Sequence, residues 1–280
     1  MAVPRVLTID VDLPLGETLL ISPITDIHIE GSRCSFDGMK KEMAQRAGPF
    51  HRALLFGDVF DMVVPPDLAR FQPSCQSGGL HGRDDWANAA VEIAEERLRS
   101  IDGMKIDGIG VGNHEFQYMK RHGFDVTSAL CSRLKANRVG YSGIVRYRIK
   151  RPGKSVKAEV LTIAFHHGAW GGKVAKGYSG ARDFFSTFQG WHFACFGHNH
   201  WTKIEPERRM RVTPKGKLKS YPVYYVLCGS QTDAYDERDA SNVDYSELKG
   251  YAPQLRMTPW MKVKIGPSND LVYWPGVGEP

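Results

Sequence analysis

The sequence is poor in cysteine, and what it has follows no pairing pattern. Cys34, Cys75, Cys131, Cys195 and Cys228 are its five cysteines in 280 residues, widely spaced and without a CxxC pair. The odd number and the spacing argue against a disulfide framework and against a structural zinc knuckle. Reduced thiols in a cytoplasmic protein are expected. No stretch approaches the roughly 18 uninterrupted apolar residues of a membrane-spanning helix. The N-terminus lacks a basic segment followed by an apolar one, so no signal peptide is expected. No membrane partner is expected either. Internal repeats and low-complexity tracts are missing. With 42% hydrophobic and 24% charged residues, the chain is neither largely disordered, collagen-like nor a coiled coil.

The excess of positive charge is small. Lys and Arg number 37 against 31 Asp and Glu, a formal charge of +6. That is compatible with an anionic substrate without identifying one. Histidine, with ten residues, is the more informative feature.

Five short apolar runs read as buried strands, each bounded by glycine or polar residues. They are Leu19 to Ile24, Ala53 to Phe56, Ile106 to Val111, Val160 to Phe165 and Phe193 to Phe196. Helical spacing marks Asp84 to Ser100, whose leading aspartates suit an N-terminus, and more weakly Asp37 to Arg46 and Asp125 to Leu134. Strand alternating with helix implies an α/β organisation. Lys219 to Val226 and Trp260 to Ile265 read as later strands. One domain over 1–280 is expected, with a motif core at 19–200 and a β-rich part at 201–280 completing the sheets. The segments 62–83, 168–180, 205–219 and 229–247 read as loops.

Each of the five runs ends in metal-ligand residue types. In order these are Asp26-Ile27-His28, Gly57-Asp58-Val59-Phe60-Asp61, Gly112-Asn113-His114-Glu115, His166-His167 and Gly197-His198-Asn199-His200. Ligands at the carboxyl ends of strands in an α/β fold converge on one rim. Two divalent cations close together need a bridging anion, and a carboxylate can offer one oxygen to each. Mixed imidazole and carboxylate donors suit Mn, Fe, Zn, Co or Ni better than Ca or Mg, and Mn is the ion expected first. Such a pair clamps both oxygens of a phosphoryl transfer and acidifies a water molecule. In extended backbone, residues i and i+2 share a side, so Asp26 with His28, and His198 with His200, are expected to face one cleft. Glycine before Asp58, Asn113 and His198 suits tight turns close to the metals.

With DxH, GDxxD, GNHE, a histidine after a strand, and GHxH in this order, the chain resembles the calcineurin-like metallophosphoesterases. The resemblance spans Asp26 to His200. It implies a four-layer α/β/β/α sandwich of two mixed β-sheets flanked by helices, with two divalent metal ions as cofactor. It also implies that Asp26, His28 and His200 hold one ion, that Asn113, His198 and a histidine of the 166–167 pair hold the other, and that Asp58 bridges. His114 is implied to act at the leaving oxygen, oriented by Asp61. His166 is favoured over His167 as the ligand because it follows the apolar run directly, with His167 left as an alternative ligand or substrate contact. The protein Ser/Thr phosphatase branch has arginines after GDxxD and before GNHE, where this chain has Met62 and Val111-Gly112. Phosphoprotein substrates are therefore not favoured. The resemblance implies a hydrolase of phosphate esters, foremost a phosphodiesterase or nuclease acting on nucleotides or nucleic acid. The alternatives are a small-molecule phosphomonoesterase and a non-catalytic scaffold.

Further contacts are expected from loops. Arg70, His81 and Arg83 are candidate phosphate contacts, and Trp170 and Trp201 candidate stacking platforms for a base. Glu115 is either a partner of a ligand or a helix-start carboxylate. Val145, Tyr147 and Ile149 alternating with Arg146, Arg148 and Lys150 describe a half-buried strand with a basic outer face. A second basic stretch, Lys203 to Lys219, begins just past GHNH and is a candidate phosphate track flanking the site.

Overall fold

The structure is a computed structural model that describes residues 5–63, 80, 83–153, 158–170, 177–213, 215–233, 256–268 and 270–280. Twelve strands form two sheets of six. In chain order the strands are β1 (Val6–Asp12), β2 (Leu19–Ile24), β3 (His51–Leu55), β4 (Lys105–Ile109), β5 (Asn137–Arg138), β6 (Ser142–Lys150), β7 (Glu159–His166), β8 (Phe193–Phe196), β9 (Thr202–Val212), β10 (Leu218–Cys228), β11 (Trp260–Ile265) and β12 (Leu271–Gly276). The helices are α1 (Phe36–Ala44), α2 (Trp86–Arg99), α3 (Asn113–His122), α4 (Val126–Leu134) and α5 (Tyr178–Ser186).

One sheet runs β1-β6-β7-β8-β10-β9 and the other β12-β11-β2-β3-β4-β5. Both are mixed. β2, β3, β4 and β5 are mutually parallel, with β11 antiparallel to β2. β7, β8 and β10 are parallel, and β9 is antiparallel to β10. The residues explain the placements. All six positions of β2 are buried, as a central parallel strand covered on both faces requires. β6 buries Val145, Tyr147 and Ile149 and turns Arg148 and Lys150 to solvent, the expected half-buried alternation.

Three apolar clusters define four layers. Between the sheets lie Leu19, Ile21, Leu54, Phe56, Val145, Tyr147, Phe165, Phe193 and Val226. On the far side of the second sheet, α1, α2 and α4 pack through Met39, Met43, Ala90, Ala94, Leu98 and Leu130 against Ile24, Ala53, Leu55 and Ile109. On the far side of the first, α5 packs through Ala181 and Phe185 against Ala164, Ala194, Phe196 and Tyr225. The result is the expected α/β/β/α sandwich. Beyond residue 200, β9 and β10 extend one sheet, and β11 and β12 the other.

Two expectations for segments are corrected. Residues 202–212 form the edge strand β9, not a loop. The glycine-rich stretch 168–180 runs into α5 at Tyr178. GNHE opens a ten-residue helix, α3. No helix among the described residues is long and apolar enough to cross a membrane.

Candidate metal centre

β2, β3 and β4 of one sheet and β7 and β8 of the other end at a common rim. The loops that leave β2 and β3 run side by side. Asp26 N donates to Gly57 O at 3.1 Å, Ile27 N to Asp58 O at 2.8 Å and Ile29 N to Val59 O at 2.8 Å. These bonds hold Asp26, His28 and Asp58 together before any side chain is considered. Close packing needs residues without a side chain. A Cβ on Gly57 would sit 2.6 Å from Gly112 N and 2.7 Å from His167 Nδ1, and its φ of +102° already favours glycine. A Cβ on Gly197 would sit 2.5 Å from Asp26 Oδ2.

The expected ligands converge, though not through extended backbone. Seven non-glycine residues among those described have positive φ, and Asp26, His28, Asp58, His198 and His200 are five of them. The expectation that DxH and HxH share a side by strand alternation is corrected. Each motif turns through left-handed residues, a strained choice that costs of order 1–3 kcal/mol per residue and clusters at functional sites.

Ligand-type atoms of Asp26, His28 and His200 lie within 4.8 Å of one another, as do those of Asp58, His167 and His198 and those of His28, Asp58 and His114. Asn113 Oδ1 lies 3.0 Å from His167 Nε2 and 2.8 Å from His198 Nδ1. Asp58 Oδ1 accepts from His114 N at 2.9 Å, while Oδ2 is 3.1 Å from His167 Nε2. Asp26 Oδ2 accepts from His198 N at 2.9 Å and from the Thr25 hydroxyl. Asp26 Oδ1 and His28 Nε2 are buried and make no hydrogen bond, the nearest basic atom to the former being His200 Nε2 at 3.4 Å. Two orphaned buried atoms of ligand type at one cluster fit a cation there, since an uncompensated buried polar group is costly.

The choice between the paired histidines is corrected. His167, not His166, enters the cluster. Along β7, Phe165 faces the inter-sheet core and Ala164 the α5 side. Alternation turns His166 to the α5 side as well, where its ring meets Trp170 at 4.6 Å and Phe184 at 4.7 Å between centroids. Its Nδ1 accepts from Gly168 N at 2.9 Å. His167 points back between the sheets and is fully buried.

Three imidazoles share one arrangement. His28 Nδ1 bonds Asp61 Oδ1 at 3.1 Å, His167 Nδ1 bonds Phe56 O at 3.1 Å, and His114 Nδ1 bonds Asp61 O. Carbonyl and carboxylate oxygens only accept, so each Nδ1 carries the proton and each Nε2 faces the cluster. The expected link from Asp61 to His114 runs through the Asp61 carbonyl. Its carboxylate is 3.6 Å from His114 Nδ1 and nearer to His28.

No protein-family model matches this chain, and no curated protein does. Among solved structures it is similar to Vps29 of Chaetomium thermophilum, at 12% identity and a TM-score of 0.37, over 94% of this chain and 100% of that one. Vps29 of the same organism, complexed with the RaPID-derived cyclic peptide RT-D3, matches at 13% identity and a TM-score of 0.36, over 94% and 98%. At such values the centre has to be read from its own side chains.

Electrostatics follow from burial. Burial would raise the Asp26 carboxyl, but the His200 imidazole, its Nε2 3.4 Å from Oδ1, outweighs it and brings it to about 2. Asp58 is likewise held well below the carboxylate range, by His167 and His114 against burial. Burial would lower His28 and His167. Asp61 instead takes His28 up to about 10, and Asp58 takes His167 up to about 9. Ionised carboxylates in a dry site demand positive charge beside them.

Glu115 serves as both of its expected roles at once. It heads α3, and its carboxylate accepts from Gly112 N at 2.8 Å, Phe60 N at 2.9 Å and Asp58 N at 3.1 Å. It thus ties the Asp58 loop to the Asn113 loop. Sequence reasoning missed Glu30, which accepts from Met62 N at 2.7 Å, and Ser230 and Gln231, which donate to Asp26 O at 3.0 Å each. No spacing signals them. Of the substrate contacts expected from loops, Arg83, Trp170 and Trp201 fall among the described residues. Arg83 is engaged by Asp85 and Glu92 at the head of α2. Trp170 and Trp201 pack against the α5-side cluster. Arg70 and His81 lie outside the described residues.

Proposed function

We propose that this chain hydrolyses phosphate esters with two divalent metal ions, manganese foremost, and that its substrates are phosphodiesters of nucleotides or nucleic acid. The observation that carries this reading is the pair of orphaned buried atoms, Asp26 Oδ1 and His28 Nε2, within a cluster whose histidines present Nε2 inward. Asp26, His28 and His200 would hold one ion and Asn113, His167 and His198 the other. Asp58, common to two of the ligand groups, would serve both. When bound, such ions acidify an attacking water and neutralise phosphoryl oxygens. His114, its Nδ1 proton held by the Asp61 carbonyl, would take a second proton from solvent at Nε2 and, as the imidazolium, pass it to the departing oxygen as the phosphorus–oxygen bond breaks, returning to the neutral ring. The resemblance to the calcineurin-like metallophosphoesterases supports the same assignment.

The preference for diesters rests on Met62 and Val111, buried apolar residues where the phosphoprotein phosphatases of that family carry arginines. A monoester dianion would want those cations more than a diester monoanion does. Parallel assays with bis-p-nitrophenyl phosphate, p-nitrophenyl phosphate and labelled single- and double-stranded DNA, each with Mn²⁺, test the reading. Diester turnover is expected. His114→Ala should lower it by about 10²–10⁴-fold, and Asp58→Asn should abolish it. Turnover of the monoester alone would establish the phosphomonoesterase instead. No turnover and no bound metal would leave a scaffold.

A further inference from the structure

β8 and β10 are parallel and both run toward the metal centre. β9 leaves the centre at Thr202, immediately after His200, and runs the other way against β10. Eleven residues at about 3.3 Å each carry it roughly 35 Å. The turn of the β9–β10 hairpin therefore lies at the opposite end of the sheet from the centre. Thr213 N bonds Lys217 O at 2.8 Å, and Gly216 N bonds Thr213 O at 2.9 Å, closing that turn. The expected phosphate track beside the site is thus displaced to the far end of the molecule.

The tip carries two kinds of exposed side chain. Val212 pairs with Leu218, and Met210 with Ser220, so Met210, Val212 and Leu218 share one face of the hairpin. They are 62%, 69% and 63% exposed. Nearer the root this face is the inter-sheet one, where Val226 and Cys228 are buried. Tyr273 of β12 reaches the hairpin at Pro222 O, at 2.8 Å. The three aliphatic residues lie beyond that point, where the apolar face runs on into solvent.

Arg208 shares this face nearer the root, Arg209, Arg211, Lys217 and Lys219 alternate onto the other face, and Lys215 lies in the turn, with no acidic residue from 208 to 220. Arg209 is occupied by the Trp191 ring, at 4.3 Å, and by the Tyr225 hydroxyl, at 3.0 Å. The other five are exposed.

We propose that the β9–β10 hairpin tip docks on an anionic lipid bilayer. Met210, Val212 and Leu218 enter the headgroup region, and the cations meet lipid phosphates and carboxylates. Three observations favour this occupant. A stable protein partner needs roughly 800 Å² of surface per side, more than three side chains on a projecting turn can supply. A second copy would bring like charge against like. A nucleic-acid backbone takes the cations but has no use for the aliphatic face. The expectation of no membrane partner is revised to this extent, as a peripheral contact without a spanning helix. The metal centre, at the far end, would stay open to dissolved substrate.

Sedimentation of the purified full chain with vesicles tests this, using phosphatidylcholine alone and phosphatidylcholine with 30% phosphatidylserine. Binding is expected only to the anionic vesicles, with loss at high salt. The triple variant Lys215→Glu, Lys217→Glu, Lys219→Glu should bind at least tenfold more weakly. Val212→Ser with Leu218→Ser should also weaken vesicle binding severalfold, while leaving the melting temperature and phosphoesterase activity unchanged. Absence of binding to anionic vesicles would overturn the proposal, as would binding indifferent to both sets of substitutions. Duplex DNA binding that depends on the lysines, together with vesicle binding unaffected by the double serine variant, would also overturn it and make the tip a nucleic-acid contact. Hairpin-dependent dimerisation in place of vesicle binding would overturn it as well.

Discussion

Asp61 sits between two histidines, and its two oxygen types divide the work. The carboxylate holds His28 and the carbonyl holds His114. Asp61→Asn keeps an acceptor for His28 but removes the charge that makes its Nε2 a strong donor. A loss of about 10–100-fold in Mn²⁺ affinity is expected, since partners of ligand histidines typically carry that much. Calorimetric Mn²⁺ titration of both proteins checks it. Unchanged affinity with a fall in kcat alone would mean that the carboxylate serves His114 instead. At this scale the motif residues were legible because their types and order are unusual. His167 was not, because which of two adjacent histidines faces inward depends on which side of β7 the second sheet covers. The parity of Phe165 against Ala164 settles that only once both sheets are in place.

Among the elements, the buried strands were read nearly to the residue, and β8 and β11 match their expected bounds. From Glu205 onward β9 has the sequence of a loop, because its outward positions are charged and its edge needs no apolar alternation. α5 was hidden by the glycines before it. β3 begins with His51, only 2% exposed and bonded to the Ser22 hydroxyl at 2.9 Å. Burial, aided by the charge of Arg46, pushes this imidazole down from 6.5 to about 4. Between those values the unfolded chain binds the proton more tightly, so stability is full above pH 6.5 and falls as the pH drops toward 4. For this one residue the loss between pH 7.5 and 5 is about 2 kcal/mol. Urea midpoints at the two pH values should therefore differ less in His51→Gln than in the parent chain. Equal differences would assign the acid sensitivity elsewhere.

At the scale of the whole molecule the proposed centre would be coupled to stability, because its candidate ligands come from both sheets. Asp26, Asp58 and Asn113 follow strands of one sheet, and His167 and His198 follow strands of the other. Each of the two cations proposed would take residues from both sheets and so bridge the sandwich at its rim. Ligand at about 100 times its dissociation constant stabilises a folded protein by roughly 2.7 kcal/mol. For a chain of this size that raises the melting temperature by about 5 °C. Fluorimetric melting with added Mn²⁺, reversed by EDTA, should show this rise in the parent and not in Asp58→Ala. An equal rise in the variant would place the metal elsewhere.

The sequence by itself determined the α/β alternation, the buried strands and the set of residue types at their ends. Apolar runs and chemically distinctive motifs are local, and they survive without knowledge of neighbours. Only the tertiary structure decided which histidine enters the cluster, that the motif residues turn through left-handed backbone, and that the second basic stretch points away from the site. Each of these depends on direction and on which face is covered. Such properties arise when strands distant in sequence pair and the two sheets close on one another.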